Sequence, residues 1–350
     1  MFRWSKLTPA TSKKRQRGQY QAKLEGLETR QCLSTTVSLS GNTLNIIGDS
    51  GTNRVSVFFR DSVNDIHVKV DGVDQHFKSM QVQNLNVDLQ GGDDVLLMQL
   101  GEDSDASAYM FDPKNISVDL GDGADTAEFW FGGLPLPNRA ISTNLNINVN
   151  AGSGDDDVVA NFGEMQPGSL NFNASLGAGN DTGFAGVWGN VDSGASLKLN
   201  LQGEDGDDNL NTYETYNGAY DNVNIAPNAL LDINVGGGAG NDHMNMTYGG
   251  RVLGKLQIRQ DGGDGNDAIS GDVHLQALSS GAVDAVFAGG NGSDVLGFEL
   301  YGQSSALRAL IDGGSGLDHA HSVGNVQTIN ANELVVVAGP IKTIGTFRQA

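Results

Sequence analysis

Gly262-Gly263-Asp264-Gly265-Asn266-Asp267-Ala268-Ile269 packs three glycines and two aspartates into six residues and then places an apolar side chain two positions after Asp267. The same turn recurs nine times along the 350-residue chain, with its last aspartate at Asp94, Asp125, Asp156, Asp181, Asp208, Asp242, Asp267, Asp294 and Asp318. The residue two places on is Leu96, Ala127, Val158, Gly183, Leu210, Met244, Ile269, Leu296 and Ala320, so only Gly183 offers no side chain to bury. A repeated acidic turn on a repeated apolar frame points to a repeat scaffold rather than to a single catalytic centre.

Register extends the repeat in both directions. Counting back from the anchor aspartate, positions −7, −9 and −11 are apolar, as in Val149, Ile147 and Leu145, in Leu201, Leu199 and Leu197, and in Val235, Ile233 and Leu231. Counting forward, +2, +4 and +6 behave likewise in Leu96, Met98 and Leu100 and in Leu296, Phe298 and Leu300. A period of two marks half-buried strands on either side of the turn. Gly48-Asp49-Ser50-Gly51-Thr52-Asn53, with Leu44 and Ile46 before it and Val55 and Val57 after, reads as a degenerate first copy in which Asn53 stands for the aspartate.

The anchors are separated by 31, 31, 25, 27, 34, 25, 27 and 24 residues, enough for two or three short strands per repeat. The expected fold is therefore all-β, a parallel β-solenoid or β-helix of about nine to ten coils. An antiparallel meander or sandwich would show similar strands and turns, but parallel stacking also explains why acids recur at one phase. The expected organisation is a basic N-terminal leader over 1–35, a β-repeat domain over 36–324, and a motif-free cap and tail over 325–350 that includes Leu334-Val335-Val336-Val337.

Charge is divided unevenly. Residues 1–30 hold eight Lys and Arg against Glu25 and Glu28, and the remaining chain carries 13 basic and 40 acidic residues, a formal −27. Such a surface repels nucleic acid and anionic membranes and attracts cations. No stretch approaches the ~20 apolar residues of a membrane-spanning helix. The single cysteine, Cys32, excludes an intramolecular disulfide framework and any multi-cysteine zinc site. The leader lacks the apolar core of an ordinary secretory signal. Its Leu27-Glu28-Thr29-Arg30-Gln31-Cys32-Leu33-Ser34 resembles the LEPR-XLL motif of planctomycete-type surface proteins, with Thr29 in place of the usual proline, and that resemblance implies export to the cell surface or beyond.

The turns themselves resemble the hemolysin-type, or RTX, calcium repeat G-G-x-G-x-D-x-U-x, most closely over Gly262–Ile269 and Gly289–Leu296. In that family glycine carbonyls and the aspartate hold calcium. The resemblance implies several calcium ions, held by Asp125, Asp156, Asp181, Asp208, Asp242, Asp264, Asp267, Asp294 and Asp318 with Gly263, Gly265, Gly290 and Gly292. Asp94 and Asp208 follow turns that depart from the pattern. RTX motifs run in tandem every nine residues, whereas these stand alone once per 24–34 residues, so a standard RTX roll is excluded. Any calcium site must be shared between turns of neighbouring coils, ~4.8 Å apart in a parallel stack. At that spacing two carboxylates repel by ~0.9 kcal/mol in water and several-fold more at lower dielectric. The plainer alternative is that Asp and Gly only satisfy turn geometry.

Catalytic signals are sparse. His319 and His321 share a strand face without a third ligand, and His67, His76, His243 and His274 are scattered in sequence. The expected function is an exported calcium-binding β-repeat protein with a structural, adhesive or matrix role and no enzyme activity, meeting polysaccharide or a surface protein. The alternatives are a β-helix enzyme acting on polysaccharide and a metal-independent repeat protein that binds a partner through aromatic loops.

Overall fold

The computed structural model describes residues 35–60, 65–100, 113–132, 140–142, 144–212, 215–216, 219–220, 223–331 and 333–337. Residues 1–34 of the leader, with the LEPR-XLL-like motif, lie outside them. The described chain is a parallel β-solenoid with about eight turns between the first and last acidic turns and no α-helix. Each coil contributes one strand before the acidic turn and one after it, and these stack into two long sheets. The sheet before the turn runs through Thr43–Ile47, Asn84–Asp88, Asn115–Asp122, Asn144–Ser153, Gly168–Ala178, Ala195–Asp205, Leu230–Ala239, Lys255–Asp264, Ala282–Gly292 and Ala306–Asp312. The sheet after it runs through Arg54–Arg60, Val95–Leu100, Thr126–Phe131, Asp157–Phe162, Thr182–Val187, Asn209–Thr212, His243–Gly250, Ala268–Leu275, Val295–Tyr301 and His319–Val323.

Register follows the sequence repeat, so the same position in each coil stacks on itself. Leu145 pairs with Leu170, which pairs with Leu197, and Val158 pairs with Ala127 and Gly183. The alternating apolar residues of both sheets meet in one continuous core, which includes a run of rings from Phe129 and Phe131 to Phe162 and Phe172. Burying each such side chain contributes roughly 1.5–3 kcal/mol. Gly183 leaves no void, because Leu176, Leu201 and Leu210 close over it. On the solvent side of the first sheet Asn84, Asn115, Asn146 and Asn171 stack into a ladder of amide hydrogen bonds.

At the opposite corner Ile141, Met165, Val191, Ile225 and Val252 form a narrow third ladder of buried residues. Two departures from uniform winding lie near the ends. Residues 36–40 fold back antiparallel on 43–47, and 54–60, 65–70 and 73–78 form an antiparallel meander at the edge of the second sheet. Within the segment expected to form the cap, Gln327–Ile329 is the last strand of the first sheet and Glu333–Val337 the last of the second, both without the acidic motif.

Candidate metal centre: a buried aspartate column

All nine anchor aspartates stand in one column, each 0–3 % exposed. Their position is fixed by the sharp turn that joins the two sheets and carries the side chain of the anchor to the inside of the corner. Oδ1 of each accepts the main-chain N–H of the anchor one coil earlier: Asp94 donates to Asp125, Asp125 to Asp156, Asp156 to Asp181, Asp181 to Asp208, Asp208 to Asp242, Asp242 to Asp267, Asp267 to Asp294 and Asp294 to Asp318, at 2.7–3.1 Å. Asn53 occupies the next place and donates its N–H to Asp94 Oδ1 at 2.6 Å.

A second, exposed ladder runs beside it in the reverse sense. At position −1 the side-chain oxygen of one coil accepts the N–H of the next, from Asp155 to Asn180, Asn180 to Asp207, Asp207 to Asn241, Asn241 to Asn266 and Asn266 to Ser293. The two ladders account for turn N–H groups that a regular strand would have paired in its sheet.

The other oxygen of every anchor, Oδ2, is buried with no hydrogen-bond partner. Burial, which disfavours the charged form, is the leading cause that raises eight of the anchors, Asp94 to Asp294, above the ordinary carboxylate value, and neighbouring aspartates add to it. Asp125, Asp208 and Asp267 are pushed to about 6 and Asp156 and Asp242 to about 7, while Asp94, Asp181 and Asp294 also move upward.

The glycines serve the stack. A Cβ on Gly265 would fall inside the carbonyl oxygen of Gly240, and one on Gly292 inside that of Gly265. Position −2 is glycine in all nine copies for this reason. Position −4 is less strict: Gln90 and Glu204 hold φ of 72° and 79° where the other copies carry glycine. The carbonyls of Gly263, Gly265, Gly290 and Gly292 thus run along the stack against the next coil's glycine. Asp264 is exposed and accepts from Asn291 Nδ2 at 2.7 Å, apart from the buried column.

Position −5 separates two kinds of coil. In the first four copies it is Leu89, Leu120, Ala151 and Leu176, all buried. In the last five it is Gly203, Gly237, Gly262, Gly289 and Gly313. Where it is glycine, the space a Cβ would take is shared by the anchor's Oδ2 and by the −5 carbonyl of the next coil: Asp208 with Gly237, Asp242 with Gly262, Asp267 with Gly289 and Asp294 with Gly313. The donor set therefore fits a hard cation in the later coils, where carboxylate and carbonyl oxygens converge, better than in the earlier ones, where the same wall is leucine or alanine. The −5 carbonyls are not among the ligands expected from sequence; the signal is glycine at −5, which begins at Gly203 and is doubled with −4 from Gly237-Gly238 onward.

No family model, curated protein or solved structure matches this chain.

Proposed function

We propose that the chain is an exported structural or adhesive β-solenoid whose aspartate column takes up calcium in its later coils. The observation that carries the reading is the file of buried Oδ2 atoms, each lacking a partner. Asp208, Asp242, Asp267 and Asp294 would hold the ion with the carbonyls of Gly237, Gly262, Gly289 and Gly313. Bound there, calcium supplies positive charge that offsets the burial of stacked carboxylates and ties one coil to the next. The formal charge of −27 after residue 30 favours cation uptake, and the leader's resemblance supports export.

The test is calorimetric titration of calcium into chelator-treated protein, with thermal unfolding followed in parallel. Heat and a rise in melting temperature are expected. Neither at millimolar calcium would overturn the proposal and leave protonation as the way the column neutralises itself.

One observation favours polysaccharide chemistry as a second reading. Asp272 and Glu299 are direct partners on adjacent strands of the second sheet, and burial together with Glu299 pushes Asp272 to about 6. Tyr301 donates to Glu299 at 2.6 Å. Such a pair offers an acid and a carboxylate side by side. Cleavage of a polysaccharide panel that disappears in Asp272→Asn would establish it; an inert panel would remove it.

A further inference from the structure

The antiparallel meander at the edge of the second sheet carries a cluster that the repeat does not explain. Ile66, Val68 and Val70 face the core, so alternation turns Asp65, His67 and Lys69 outward. The next strand sets Lys78, His76 and Asp74 directly opposite them. Two histidines nine residues apart in sequence thereby become cross-strand neighbours, with ring centroids 4.0 Å apart. One donor atom from each of Asp65, His67 and His76 lies within 4.8 Å of the others. His67 is 7 % exposed at its side chain, and its Nε2 has no hydrogen-bond partner.

We propose that Asp65, His67 and His76 form a binding site for a divalent transition metal of the zinc type. Two imidazoles and a carboxylate suit a borderline cation, whereas calcium prefers an all-oxygen shell, so this site and the aspartate column select different ions. Asp74 completes the arrangement: its Oδ2 is 3.4 Å from His67 Nδ1 and 3.6 Å from His76 Nε2. Its hydrogen bond with His67 Nδ1 fixes the tautomer that leaves His67 Nε2 free for metal. The Lys78 ammonium, 2.7 Å from Asp65 Oδ1, competes with the ion for that carboxylate.

Cobalt(II), titrated into the full chain at neutral pH, serves as the probe. Saturable visible absorption of a low-coordinate cobalt site is expected, reversed by zinc and unchanged by millimolar calcium. His76 is exposed, so His76→Ala leaves the fold intact and should weaken binding by at least about 10-fold; Asp74→Asn should weaken it by about 10- to 100-fold. Lys78→Met should tighten it by freeing Asp65. Absence of saturable absorption overturns the proposal, as does affinity unchanged in His76→Ala and Asp65→Asn. Absorption lost instead in His319→Ala/His321→Ala would assign the ion to that pair and overturn it equally.

Discussion

The main-chain N–H of Asp208 donates to Oδ1 of Asp242 at 2.9 Å, across 34 residues of chain. The aspartate is thus a structural acceptor before it is anything else: one oxygen closes the turn of the preceding coil, and only the other remains for a proton or a cation. Asn53, at the N-terminal end of the column, shows what a neutral anchor does, since its Nδ2 donates back to the carbonyls of Asp49 and Gly51.

Replacing Asp242 separates these two roles. Asp242→Ala removes the acceptor of the buried Asp208 N–H and should cost about 1–3 kcal/mol in denaturant unfolding. Asp242→Asn keeps an acceptor and places a donor beside the Gly262 carbonyl. Its stability in chelator near pH 8 should equal or exceed that of the wild type, with a smaller response to calcium.

The column also sets a pH dependence. Asp125, Asp208 and Asp267 hold their protons up to about 6 and Asp156 and Asp242 up to about 7 in the folded chain, against 3.8 for an ordinary aspartate. Between those values the folded state binds more protons than the unfolded one, so stability falls as pH rises from about 4 to about 7 and then levels off. In chelator the melting temperature should be higher at about pH 5 than at about pH 8. Calcium should raise it at the higher pH and do little at the lower, because protonated anchors offer it no charge.

Gly265 and Gly297 should respond oppositely to alanine. At Gly265 a methyl group has no place, since the Gly240 carbonyl fills it, whereas nothing lies within 4 Å of a Cβ at Gly297. Gly265→Ala should cost more than about 3 kcal/mol and Gly297→Ala less than about 0.5 kcal/mol by chemical denaturation.

Gln260 interrupts the apolar row at position −7, between Val235 and Phe287 in the neighbouring coils. It is 1 % exposed, and neither amide atom has a hydrogen-bond partner. Gln260→Leu should stabilise the chain by about 1–3 kcal/mol, because it removes buried polar atoms while keeping the volume.

Much of the fold was legible in the residues. Val149, Ile147 and Leu145 before one turn and Leu296, Phe298 and Leu300 after another announce two half-buried strands per repeat, and the phase of the aspartates favours parallel stacking. The antiparallel start was less legible. His67 and His76 read as scattered, because cross-strand pairing in a meander is set by the turn at Asp71-Gly72 and leaves no periodic mark. The pairing of Gln327–Ile329 and Glu333–Val337 with the preceding coil is not legible either, because these strands lack the acidic turn that marks the phase elsewhere.

What the sequence by itself determined is the repeat: its length, its alternating apolar frame, and an acidic glycine turn at a constant phase. These follow from local rules, since strand periodicity and positive-φ turns are written in adjacent residues. The tertiary structure decided what each part of the turn does. Whether a glycine is needed for its φ or for the carbonyl stacked against it, and whether an aspartate oxygen faces an amide, a leucine or an open glycine, depends on the coil above and the coil below. Those neighbours lie 24–41 residues away, and their contacts exist only once the coils have stacked in register.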